Sequence, residues 1–193
     1  MSIRKYANAV LAIGALLVSA CASVSPPATP RQGSGAAVAV PSLGLFSSIK
    51  VPSDREPVLQ LSAQGVQIFR CEKRDSAFVW VFRQPEAQLA DAGGKVVGRH
   101  GANFSFEHND GSRLVASIAA YDEAPNTADL RWLLLTTRSY GKGAFEGVTH
   151  VQRVNTRGGM PPPKCDPALA NQLLRVDFSA DFTFYRAKSG APG

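Results

Sequence analysis

Five side chains in this sequence have the chemistry to hold a small ligand: His100, Glu107, Arg153, Asn155 and Thr156. An imidazole that changes charge near neutral pH, a carboxylate and a planar guanidinium are groups that orient polar molecules or move their protons. Arg153, Asn155 and Thr156 close an apolar stretch just before Gly158-Gly159-Met160-Pro161-Pro162-Pro163. Polar groups at a strand end, beside a glycine-hinged and proline-stiffened loop, suit the rim of a ligand site. Trp80 and Trp132 offer aromatic faces, but both lie in apolar runs that suit a core better. Catalysis has less support. Glu107 and His108 are neighbours, so in a strand they face opposite sides and cannot share a metal ion. No Gly-x-Ser-x-Gly elbow is present, Gly141, Gly143 and Gly147 lack dinucleotide-loop spacing, and nothing places a pair of carboxylates for glycoside hydrolysis. No catalytic residue is therefore assigned and no metal or cofactor is called for. A hydrolase stands as the rival to a binding domain, and a purely structural component as a second rival.

The other chemistry-bearing residue type is cysteine, at Cys21, Cys71 and Cys165. Cys21 follows Arg4 and Lys5, an apolar run over residues 9–18, and the small residues Ser19 and Ala20. That layout reads as a secretory leader over residues 1–20, too short to span a bilayer, which takes about 20 apolar residues. Val18-Ser19-Ala20-Cys21 resembles a lipobox, in which cleavage leaves a cysteine whose thiol and amine are both lipidated. Two or more acyl chains give stable anchoring where one gives only marginal binding. Ala22, rather than Asp, follows the cysteine, which fits the outer membrane, facing the periplasm, by the usual sorting pattern. Cys71 and Cys165 then remain in a domain exported to an oxidising compartment, where a disulfide follows; two free thiols or a redox pair are the alternatives, the latter without a C-x-x-C motif. A bridge closing so long a loop is worth roughly 4.7 kcal/mol in the chain-entropy picture.

Charge excludes one class of partner. The formal net charge is +6, and Arg4 and Lys5 leave with the leader. The rest is scattered, with no basic run interleaved with aromatics, so nucleic acid is not an expected partner. The expected partners are the membrane, through the lipid anchor, and a small molecule, a glycan or an envelope protein.

These groups must be positioned by a β-rich domain. Residues 21–50 are rich in Ala, Ser, Pro and Gly and read as a tether, with an r.m.s. span on the order of 30 Å. The domain is expected over residues 51–186, with residues 187–193 as a tail. Within it, short apolar runs alternate with turns. Asn109-Asp110-Gly111-Ser112 is a hairpin turn between two strands. Val176, Phe178, Ala180, Phe182 and Phe184 fall on one face of a last strand, against Asp177, Ser179, Asp181, Thr183 and Tyr185. Asp166 and Pro167 suit the start of one short helix running on to Leu174. The expected fold is all-β, an antiparallel sandwich or barrel of roughly eight to ten short strands, with that helix near the C-terminus.

An ordered series of motifs extends this reading: Gly65-Val66-Gln67-Ile68-Phe69-Arg70-Cys71, Trp80-Val81-Phe82, Pro85-Glu86-Ala87, Gly98-Arg99-His100, Asp110-Gly111-Ser112, Arg131-Trp132-Leu133, His150 through Thr156, Gly158-Gly159, Cys165 and Ala180 through Tyr185. The series resembles the bacterial and fungal family called domain of unknown function 3455, over the whole expected domain. The resemblance implies that Cys71 and Cys165 stand at the family's cysteine positions, and implies no activity. The family often has a Pro-Thr-Trp segment between His100 and Glu107, where this chain has Gly101 through Phe106.

Overall fold

The computed structural model describes Val38 and residues 40–190. Cys21, the leader and most of the tether lie outside the described residues. Eight antiparallel strands follow one another: β1 (Arg55–Arg74), β2 (Ala77–Ala90), β3 (Val96–Gly101), β4 (Ser105–His108), β5 (Arg113–Asp122), β6 (Trp132–Tyr140), β7 (Val148–Gly158) and β8 (Leu173–Ala187). Each pairs with the next, and β8 pairs back onto β1, so the single sheet closes on itself as a barrel. Closure leaves the interior to the inward residues of every strand. The period-two pattern of β8 holds in part: Phe178, Ala180, Phe182 and Phe184 are buried in the central cluster, whereas Val176 is half-buried, and Thr183 and Tyr185 of the other face are buried as well.

The expected helix after Asp166 does not form. Asp166 does cap, accepting from the Ala168 amide at 2.8 Å, but the turn ends as a 3-10 helix over Pro167–Leu169. Two constraints override helix propensity there. Cys165 is bonded to Cys71 with their Cα atoms 5.9 Å apart, and the Cys71 backbone exchanges bonds with Asn171 and Gln172. The chain must therefore reverse at once, with Asn171 at φ +66°, and Leu173 and Leu174 pair with Arg70 and Phe69 of β1. Several strands are longer than the short runs expected: β1 has 20 residues.

The interior is filled unevenly. At one end, Phe106, Phe182, Phe184 and Phe145 form an edge-to-face and stacked set. Phe145 comes from the glycine-rich loop between β6 and β7 and plugs that end. Its loop is fixed by Asp110, which accepts from Ala144 N at 2.7 Å, and by Ser112 Oγ, which accepts from Phe145 N. Asp110 is held well below the usual carboxylate range by its bond from the Ser112 hydroxyl and the Ala144 amide. Outside the barrel, residues 43–51 lie against β6 and β7, with Ile49 buried beside Leu134 and Val154. Gln152 locks this cover by donating to Ile49 O and accepting from the Tyr185 hydroxyl.

Strand β1 approaches β2 closely at Gly65. It is paired with Ala87 on one side and Phe178 on the other. A Cβ there would lie 2.1 Å from Glu86 O and 2.5 Å from the Ala87 Cα, both backbone atoms that cannot swing aside. Gly65→Ala is therefore expected to lower stability by about 1–3 kcal/mol, as overpacking does. Urea denaturation followed by near-UV circular dichroism checks this.

Candidate functional site

The end of the barrel opposite the Phe145 plug is open, for a reason visible in the pairing. The β3–β4 hairpin is short. Strand β2 meets β3 only over Ala87–Ala90, and β5 meets β4 only over Arg113–Val115. Residues 77–86 and 116–122 therefore run on past the hairpin, and between them no described strand completes the ladder. The 3-10 turn Ala102–Phe104, which touches both β2 and β5, forms the floor of this notch. Asn103 and Phe104 both take positive φ there, +57° and +50°.

Behind the notch lies a cavity of about 380 Å³. Its walls are apolar and largely aromatic: Phe69, Trp80, Phe82 and Phe104, with Ile118 at the β5 edge and Met160 on the loop after β7. A bulge aims two of these side chains. Between Ile68 and Phe69 the register jumps, so that Phe69 pairs with Phe82 and Arg83 of β2 is left over. The jump changes the inward parity of β2 from odd residues (Leu89, Ala87, Pro85) to even ones, so Phe82 and Trp80 join the cavity. Arg83 is left outside on Glu72. Bulges commonly re-aim side chains in this way beside functional sites.

Three polar side chains enter this apolar space: Gln67, His100 and Arg153, with 2%, 2% and 7% of their surface exposed. His100 stacks on Phe106 at 4.2 Å, at the boundary between cavity and packed core. Its Nδ1 lies 2.8 Å from Ser105 O. A carbonyl only accepts, so Nδ1 carries the proton and Nε2 of the neutral ring is left as an acceptor. Burial holds the His100 pKa down to about 4; Arg153 pushes the same way, against the Ser105 bond. Arg153 donates to Arg131 O from Nε and Nη2 at 3.2 and 2.9 Å. No carboxylate pairs with it among the described residues. Burial lowers its pKa to about 10, which leaves it charged at neutral pH. Gln67 Nε2 is buried with no partner among the described residues.

Of the five candidates read from sequence, the cavity joins two, His100 and Arg153. Glu107 sits one residue past inward-facing Phe106, points outward, and pairs with Arg99. Asn155 is exposed at φ +52° and donates to Asp181 Oδ2 at 2.8 Å. Thr156 is buried, but its hydroxyl is taken by Leu130 O at 2.5 Å, tying β7 to the segment before β6. Trp132 lies outside the barrel with the cover formed by residues 43–51. Gln67 was missed: an isolated glutamine between apolar residues reads as an outward strand position. His108 and Asp110 stay together at 3.0 Å, at the plugged end of the barrel.

Comparison with protein families decides the relationship. The family described as protein of unknown function (DUF3455) matches residues 52–186. The chain belongs to the DUF3455 family. Its matched region takes in all eight strands except the last residue of β8, together with both cysteines of the disulfide. Comparisons with curated proteins and with solved structures gave no match. For this DUF3455 chain, the cavity is the concave site where apolar walls and buried polar groups converge.

The depressed His100 pKa makes a prediction. The unfolded chain takes up a proton near pH 6.5, and the folded one only near 4. The contribution is therefore fully present above about pH 6.5 and is lost as pH falls toward 4, by about 3 kcal/mol in all. His150, also lowered by burial, adds to the loss of stability as pH falls below about 6.5. The part due to His100 is the part that disappears in His100→Gln, measured by urea midpoints between pH 7 and 4. An unchanged slope in that variant would contradict the burial of a neutral imidazole.

Proposed function

We propose that this chain is a bacterial envelope lipoprotein whose barrel is a binding domain for a small molecule held in the cavity. The observation that carries the binding reading is the cavity itself. A space of about 380 Å³, reached through the notch beside the β3–β4 hairpin, is walled by aromatic side chains and holds three buried polar groups. Ligand sites are typically of this kind: mostly apolar, with a few placed polar groups. The hydrolase reading has less support, because it needs Glu107 beside His100 and Arg153, and Glu107 is outside with Arg99. The lipoprotein reading rests on the sequence, on the leader over residues 1–20 and the lipobox-like Val18-Ser19-Ala20-Cys21. Ala22 after the cysteine supports the outer membrane, with the domain facing the periplasm.

The two halves of the proposal are tested separately. Cys21→Ser is expected to move the protein from the membrane fraction to the soluble periplasmic fraction; continued membrane retention counts against lipid attachment. For the cavity, N-phenyl-1-naphthylamine is titrated into the intact protein, where entry is read as a rise in probe fluorescence. Ile118→Trp, which narrows the notch from its β5 edge, is expected to weaken that signal at least 10-fold. A signal indifferent to Ile118→Trp would place the probe elsewhere and remove the support.

A further inference from the structure

We infer that the cavity takes a small organic acid: an apolar or aromatic body carrying one carboxylate, with the carboxylate seated on Arg153 and Gln67. This rests on the reading of the cavity as a binding site and adds the charge and shape of what enters it.

The first support is the charge of the walls. Two arginines and a histidine line the space, and none of the lining residues is acidic. Arg131 is committed elsewhere: it is exposed, paired with Glu123 at 2.9 Å, and lies over the Tyr121 ring. Arg153 is the deep one. Burying a cation without a counter-charge is costly, and a carboxylate relieves that cost more fully than a neutral group does. The guanidinium also has donors to spare. It carries five N–H groups, and Arg131 O engages one from Nε and one from Nη2. The remainder suit the two oxygens of a carboxylate, the fork geometry that makes such pairs strong.

Gln67 is the second, independent observation. Its side chain lines the cavity, and its side-chain nitrogen is buried away from solvent with no acceptor among the described residues. A buried donor left unpaired costs free energy, and such a group in a native structure calls for a partner. A ligand oxygen near Arg153 would be that partner once the Gln67 amide turns its nitrogen into the cavity.

The remaining walls define the body and limit the charge. Phe69, Trp80, Phe82 and Phe104 favour an apolar, flat group. His100 limits the anion to one head: its ring offers the cavity an acceptor rather than a donor, because Nδ1 is spent on Ser105 O. A second carboxylate or a phosphate would meet that lone pair without a proton between them. The volume, near the lower end for ligand sites, fits a single-ring acid better than a long acyl chain.

The test compares 4-phenylbutyrate with 4-phenylbutyramide, titrated calorimetrically into the intact protein at pH 7. The acid is expected to bind at least 10-fold tighter than the amide. Arg153→Met should erase that preference, Arg153→Lys should keep part of it, and Arg99→Gln, on the outer face with Glu107, should leave it in place. Equal affinity of acid and amide overturns the inference while leaving the cavity reading standing, as does entry of N-phenyl-1-naphthylamine when neither of the two binds. Failure of all three probes overturns the cavity reading and the inference with it. An acid preference that survives Arg153→Met overturns the assignment to Arg153. Should Arg153→Met not fold, the wild-type comparison together with Arg153→Lys decides.

Discussion

A guanidinium with no carboxylate partner among the described residues is held inside an apolar barrel, and the cavity depends on that one arrangement. Arg153 stands on β7 in the same inward row as Val151, a core residue. An aliphatic side chain there would extend the packed core toward the notch. Arg153 instead keeps that end of the barrel polar and unfilled. It also holds His100 neutral by adding its charge to the effect of burial. Among the described residues its side-chain hydrogen bonds go to the Arg131 carbonyl, so its position depends on the segment before β6, which Thr156 and Asp129 bind to β7 from the other side.

Two features of the strands make room for this cation. The β3–β4 hairpin stops early, so the barrel closes fully only at the end plugged by Phe145. The β2 bulge then turns Phe82 and Trp80 toward the space that the missing ladder leaves. One end of the molecule is accordingly a packed aromatic core of the usual kind. The other is a lined hollow whose polar groups are not satisfied by the protein alone. The disulfide and the backbone bonds between Cys71 and residues 171–172 brace the β1 wall next to the hollow.

Much of this frame was legible in the sequence. Strict alternation in residues 176–185 identified β8 and its buried face, and Asn109-Asp110-Gly111-Ser112 marked the β4–β5 hairpin. Cys71 and Cys165 are paired, as expected of the two cysteines left over in a domain whose sequence reads as exported. Other features depend on interactions far along the chain. The helix after Asp166 was a sound local reading, but the disulfide and the pairing of Leu173 and Leu174 with β1 outweigh one capping bond. Residues 43–51 carry the composition of a tether, yet Ile49 finds a buried place because Gln152 and Tyr185 supply partners on the outer barrel face. For the site, strand parity explains both success and failure. His100 and Arg153 were singled out by type, and both proved to face inward. Glu107 faces outward because it follows inward-facing Phe106, and Trp80, whose apolar run reads as core, lines the cavity because a bulge three residues away decides which face it joins.

The most direct test of the buried, unpaired cation is the stability of the empty protein with Arg153→Met, measured by urea denaturation at pH 7 and low salt. A charge kept for a ligand rather than for the fold is a burden without that ligand. Methionine fills similar space, and the exposed Arg131 can have its carbonyl taken up by water. The urea midpoint is predicted to be equal to or above that of the wild type. A loss of about 3 kcal/mol or more, the scale of breaking a buried ionic network, would show that Arg153 is a structural strut and contradict the account.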